Sequence, residues 1–297
     1  MRLSFRLAGV CAGLLFTQAA SAAEPMAQRW VSAGGSLSEW VVVLGGERKL
    51  VGVDSTSQYP QSLRRLPGIG YQRQLAAEGI LALRPDILVG SEEMGPPPVL
   101  EQLAGAGVRI ETLSSQADLA TLEHSLMRLG ALLGVPERSA QVAAEYRQRL
   151  QTQARWVAAA QEPAPGVLLL LGHAGGNPLA AGRGTLGAWL IEQAGGRNLT
   201  THQGYKALSN EALIAHDPEL VIVADRSLAG AAAQQALLRH NPGLAATRAA
   251  RNGRLLALDP TLLVGGLGPR IPAELAVLSA AFYPARPSLI TEAQPSP

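Results

Sequence analysis

The chain has 297 residues, 47% of them hydrophobic, with 25 Lys and Arg against 23 Asp and Glu. So small a net charge, with no basic run, argues against nucleic acid and anionic membrane surfaces as partners. Aromatic residues make up only 4% of the chain, which speaks against a binding site walled by rings.

Residues 1–22 read as a secretory signal. Arg2 and Arg6 form its positive end, Leu7 to Phe16 its apolar core and Ala20-Ser21-Ala22 its small-residue cleavage site. An apolar core of about ten residues is too short to span a bilayer. Val10 before Cys11 departs from a lipoprotein signal, which wants a small residue there. Cleavage removes Cys11, the only cysteine, so disulfides, thiol catalysis and cysteine metal sites are excluded from the mature chain. It also leaves 23 residues of each charge.

An N-terminal lobe is expected over residues 27–134. Trp30-Val31-Ser32 reads as a strand and Ala33 to Ser36 as a turn. Ser36 with Glu39 three residues on reads as a capping box, with Leu37, Trp40, Val41 and Leu44 on one helical face. Lys49 to Val53 is a second strand. A loop-rich stretch follows, carrying Tyr59-Pro60, Pro67, Gly68 and Gly70. Leu75 to Leu81 predicts a short helix that ends before Arg84-Pro85, because a residue before proline is pushed out of the helical region. Ile87-Leu88-Val89 predicts a buried strand. A stiff Gly95-Pro96-Pro97-Pro98 loop, a helix over Val99 to Ala106 and a strand over Val108 to Thr112 follow. Strands alternating with helices point to a parallel, doubly wound sheet.

Asp118 to Leu133 is helical in pattern. Residues 137–161 hold no glycine or proline and place Val142, Tyr146, Leu150 and Val157 near one face. At 1.5 Å per residue that segment is roughly 35 Å long, a single connector between halves. A C-terminal lobe is expected over 166–292. It opens with the apolar strand Val167 to Leu171, whose carboxyl end meets Gly172-His173-Ala174-Gly175-Gly176-Asn177. In open α/β sheets ligands bind outside such strand ends. A helix over Leu186 to Gln193, a helix near Ala232 to Leu238, a strand over Arg254 to Leu258 and a last helix from Pro272 to Phe282 complete the order. The polar, proline-bearing tail begins at Pro284. The fold expected is therefore α/β, two Rossmann-like lobes bridged by a single long α-helix.

An internal repeat supports two lobes. The segment from Gly70 to Gly90 returns as Gly204 to Asp225. Glu78, Ala82 and Pro85 match Glu211, Ala215 and Pro218, each pair 133 positions apart, and Asp86 matches Glu219. Gly70-Tyr71 returns as Gly204-Tyr205, so a ligand between two such lobes would meet Gly-Tyr from each side.

Catalysis finds little support. Ser209 has Glu211 and His216 near in sequence but no nucleophile elbow around it, and a dinucleotide or P-loop fingerprint follows none of the strands. The five histidines, His124, His173, His202, His216 and His240, lack the helical spacing of metal-ligand pairs. Tyr71 is the stronger candidate. It lies on a glycine-flanked loop of the repeated unit with Arg73 two residues on. A phenolate is a hard oxygen donor suited to ferric iron, and a guanidinium nearby favours the anion.

Three stretches carry a resemblance: PGIGYQRQLAAEGILALRPDILVGSEEMGPP, LLLLGHAGGNPLAAGRGT and GYKALSNEALIAHDPELVIV. They resemble periplasmic substrate-binding proteins with two α/β lobes joined by one long helix, and among these the haem-binding members that feed haem ABC importers. The resemblance covers nearly the whole mature chain. It implies a monomer located in the periplasm, with haem as transported ligand and an inner-membrane ABC permease as partner. It also implies Tyr71 as axial ligand to haem iron, Arg73 as its hydrogen-bonding support, and Glu78 and Glu211 as the two residues that dock on permease arginines. His173 matches a histidine used by relatives that hold haem differently. Arg183, Lys206 and Arg226 are candidate partners for the propionates, and Tyr205 a further cleft residue. The alternatives are a ferric siderophore or corrinoid carrier of the same fold, and a secreted α/β enzyme.

Overall fold

The computed structural model describes residues 27–172, 177–225 and 231–289. The signal segment, His173, Arg226 and the end of the tail lie outside the described residues.

The first half alternates strand and helix: β1 (Trp30–Ala33), α1 (Gly35–Val43), β2 (Leu50–Val53), α2 (Ala77–Ala82), β3 (Ile87–Ser91), α3 (Pro97–Gly105) and β4 (Arg109–Leu113). The strands form one parallel sheet in the order β2-β1-β3-β4. Trp30, Val31, Ile87, Leu88 and Val89 are fully buried. Helices cover both faces of such a sheet, so its central strands read as apolar runs rather than alternating ones. After β4 comes α4 (Leu119–Leu133), capped by Asp118 Oδ1, which accepts from Thr121 N at 2.8 Å, and closed by Gly134 at φ 78°. The connector is α5 (Pro136–Ala158), 23 residues long. Val142 and Tyr146 of its expected face are buried, and Leu150 and Val157 are half-buried.

The second half runs β5 (Gly166–Leu171), β6 (Leu179–Ala181), α6 (Leu186–Gln193), β7 (Arg197–Asn198), β8 (Tyr205–Ala207), α7 (Asn210–His216), β9 (Leu220–Ala224), α8 (Ala231–His240), α9 (Pro242–Ala245), α10 (Arg248–Arg251), β10 (Leu255–Leu258) and α11 (Ile271–Phe282). Its sheet has the order β10-β9-β5-β6-β8, with β7 also on β5. Unlike the first sheet, this one is not wholly parallel: at its edge β6 runs antiparallel to β5 and β8 antiparallel to β6. A parallel partner needs a crossover of about a dozen residues or more. Leu171 and Leu179 stand eight positions apart, too few for such a crossover.

The repeat is structural. Both α2 and α7, and both β3 and β9, begin 133 positions apart. Arg84 (φ 48°) and Asp217 (φ 38°) are the non-glycine residues with positive φ among the described residues, and they share that spacing. Each follows a helix and precedes a proline, Pro85 or Pro218. Proline bars the helical region to the residue before it, and a left-handed residue ends the helix. The next residues also correspond. Asp86 Oδ2 accepts from Arg29 N at 2.9 Å, and Glu219 Oε1 from Gly166 N at 3.2 Å, each tying the start of its central strand.

The capping box expected at Ser36 and Glu39 does not form. Gly34 precedes α1 without a side-chain cap. Ser36 Oγ donates to Gly266 O at 3.1 Å instead. Glu39, 3% exposed, meets Arg270 through Nε at 3.0 Å and Nη2 at 2.6 Å. Arg270 also donates to Asp259 Oδ2 at 3.1 Å and lies 4.7 Å over the Tyr59 ring. A bidentate guanidinium offers the carboxylate more than one backbone N–H does. So α5 is joined by a second tie between the halves. The segment after β10 returns to α1, where Trp40 Nε1 donates to Leu267 O at 2.8 Å.

Candidate functional site

The loop bearing Tyr71 is stapled at several points. Val53 bridges Gly68, and Gly70 takes φ 85°, which a side chain would disfavour. Ser55 N donates to Gly70 O at 2.8 Å, and Gln74 N to Tyr71 O at 2.8 Å. Gly95 N donates to Gln72 O at 2.9 Å, and Leu75 N to Gly95 O at 2.8 Å. The loop thus rests on the segments leaving β2 and β3, at the carboxyl ends of the strands. Tyr71 is 40% exposed there, while Gln72 beside it is fully buried.

Arg73 was expected to support Tyr71 directly. Its bond in this structure is to Glu93 Oε1, at 2.6 Å. The other oxygen, Oε2, accepts from Gln72 Nε2 at 3.2 Å. The Glu93 hydrogen bond, with smaller help from the charges of Glu93 and Tyr71, holds the Arg73 guanidinium above its usual range. Gln72 and Glu93 are the residues that sequence reasoning missed. The available signal was the position of Glu92-Glu93 directly after the β3 apolar run, where ligands meet such sheets.

Tyr205 differs from its counterpart. Its Gly-Tyr loop is strand β8, and its hydroxyl is closed off from solvent near Gly187 and Thr185, with no hydrogen bond of ordinary geometry. Burial pushes this phenol up, and the charge of Glu93 adds to the effect, so Glu93 is within electrostatic reach of both lobes. Tyr205 is held neutral, and Tyr71 is the phenol open to a ligand. Arg183 and Lys206 are exposed on the second lobe. Glu78 and Glu211 are exposed in the first turns of α2 and α7. A hydrogen bond from Ser209 holds the Glu211 carboxyl below its usual range. Ser209 itself caps α7 by accepting from Ala212 N at 3.3 Å, a structural task.

Among the described residues no three His, Cys, Asp or Glu side chains are grouped to hold a bare metal ion. His202 Nε2 lies 3.1 Å from Ala180 O. His124 lines an open pocket of about 500 Å³ between β4 and α4, together with Glu111 and Arg128, which pair with each other. That pocket contains none of the tyrosine-loop residues. The tyrosine loop offers an accessible phenol oxygen with a cation held by Glu93 two residues on. Such an arrangement suits the holding of a ligand.

Known proteins agree with this. A solved periplasmic heme-binding protein from Pseudomonas aeruginosa is 68% identical, with 89% of this chain and 96% of that one covered at a TM-score of 0.86. The periplasmic heme-binding protein HutB of Vibrio cholerae is 35% identical over 86% of this chain and 99% of its own, at a TM-score of 0.77. Among curated proteins, a vitamin B12-binding protein of Yersinia pestis (strain Pestoides F) is 29% identical over 221 residues, 73% of this chain and 75% of the relative. The model of the periplasmic binding protein family matches residues 31–262. That span takes in both sheets, the connecting helix and the tyrosine loop, and the chain belongs to the periplasmic binding protein family.

Proposed function

We propose that this chain carries haem through the periplasm, bound between its two lobes, and delivers it to an inner-membrane ABC permease. The observation that carries the reading is Tyr71, an exposed phenol on a loop stapled at the strand ends, in a chain 68% identical to a periplasmic heme-binding protein. Haem is the cargo. The Tyr71 oxygen is the axial ligand of its ferric iron, Arg73 supports that ligand, and the exposed cations Arg183 and Lys206 on the other lobe receive propionates. Arg226 and His173 keep the roles of propionate partner and alternative ligand. Haemin titrated into the purified protein produces a tyrosinate-to-iron charge-transfer band on this reading. A protein whose spectrum is indifferent to haemin rejects it. The 29% identity to a vitamin B12-binding protein favours a corrinoid as the second reading, and saturable binding of cobalamin with no response to haemin would select it.

Docking uses Glu78 and Glu211, one exposed carboxylate per lobe at equivalent places in the repeat. A permease built of two like subunits would offer each a matching arginine. The alternative role, a carboxylate favoured by a helix N-terminus, needs no partner. Replacing both, Glu78→Lys with Glu211→Lys, is expected to leave haem binding intact and stop delivery to a reconstituted importer, because two repulsions replace two attractions. Each single change is expected to slow delivery partly. Wild-type delivery by the double variant would reduce the pair to ordinary helix-start carboxylates.

A further inference from the structure

We infer that Glu93 is a positioning residue for the iron-ligand loop, fixing Arg73 in place beside Tyr71 from a separate segment of the chain. The inference rests on the haem reading above. It starts from a plain difficulty. Arg73 is a long side chain, 54% exposed, on a surface loop. Left free it would sample many rotamers, and supporting a ligand would cost that freedom on every binding event. Glu93 removes the difficulty beforehand by accepting from Arg73 Nη2 at 2.6 Å.

An exposed ion pair alone usually orders little. This one differs in how the carboxylate is held. Its second oxygen is bonded by the amide of Gln72, a side chain that is fully buried. The Glu93 backbone N–H donates to Ser91 Oγ at 3.3 Å, and Met94 N to Ser91 O at 3.0 Å, so the turn that carries Glu93 is itself closed. Two further backbone bonds join Gly95 to Gln72 and Leu75. The segment after β3 therefore grips the tyrosine loop at its backbone, at Gln72 and at Arg73. One Arg73 nitrogen is committed to Glu93, and the rest of the guanidinium is left available on the exposed side. The Glu93 charge also adds a small contribution, after burial, to raising the Tyr205 phenol.

The test has two arms. In the ligand-free protein, the Nε–Hε order parameter of Arg73, measured by NMR, should report a restrained guanidinium in the wild type and a mobile one in Glu93→Ala, with Glu93→Gln in between. In haemin titrations, Glu93→Ala should weaken binding about two- to fivefold and shift the charge-transfer band. The same change made in an Arg73→Ala background should cost nothing more, since the residue it positions is gone. An Arg73 signal equally restrained without Glu93 overturns the proposal. So does a Glu93→Ala loss that persists in full when Arg73 is absent. Tyr71→Phe titrated alongside separates the failures. If haem affinity ignores Tyr71→Phe, the ligand assignment falls and the proposal falls with it. If Tyr71→Phe destroys binding while Glu93→Ala changes neither affinity nor band, only the proposal falls.

Discussion

Tyr71→Phe is expected to weaken haem binding by about 100-fold or more and to abolish the tyrosinate-to-iron band, with little change in the thermal midpoint. The substitution removes one oxygen from a ring that is 40% exposed, so packing loses almost nothing. Residues that only support a metal ligand typically cost 10–100-fold when removed, and the ligand itself should cost more. The loop should survive the change, because its staples are backbone bonds from Ser55, Gln74 and Gly95. The companion variant Tyr205→Phe should bind haem nearly as the wild type does. Its hydroxyl is closed off beside α6 and is held protonated by burial. Loss of the band in Tyr205→Phe with retention in Tyr71→Phe would exchange the two assignments.

Arg270→Ala is expected to destabilise the protein by about 3–5 kcal/mol, the cost of leaving a buried carboxylate without its partner. For a chain of this size that is a fall of roughly 10 °C in Tm by calorimetry. Glu39 is 3% exposed and has Arg270 as its counter-ion across the two halves. Burial already pushes the Glu39 carboxyl up, and Arg270 is what pulls it back. Without the arginine the carboxyl rises further. A group raised on folding gives its full stability below the unfolded value and loses it as pH rises through the folded value. The gap in Tm between Arg270→Ala and wild type should therefore be smallest near pH 4.5 and widen toward neutrality. Glu39→Gln combined with Arg270→Met, which removes both charges, should recover much of the loss. A gap independent of pH would mean that packing or the Tyr59 contact, not the buried charge, carries the effect.

Much of the architecture could be read from local pattern. The apolar runs of β3, β5 and β9, the uninterrupted α5 and the repeat spacing of 133 are all short-range signals. The prolines at 85 and 218 did more than end two helices. They imposed the same left-handed residue before each, at Arg84 and Asp217. The tyrosine loop was legible for a similar reason, since Gly68 and Gly70 mark a backbone that only a special turn can adopt. The antiparallel edge of the second sheet was less visible. Leu179–Ala181 is three residues long, too short to show a period.

The sequence by itself determined the element order, the duplication, the two halves with their connector and the place of Tyr71, because proline, glycine and apolar periodicity restrict the backbone within a few residues. The tertiary structure alone decided which partner each polar side chain takes. Glu39 suited a cap three residues from Ser36, yet its partner is Arg270, 231 positions away. Arg73 stood two residues from Tyr71 in sequence, yet its bond is to Glu93, 20 positions on. Tyr205 copied Tyr71 in sequence, yet α6 closed over its hydroxyl. A charged side chain takes the partner the fold brings within about 3 Å, and a phenol is buried or exposed by what packs over it; both are decided by strands and helices meeting, not by neighbours along the chain.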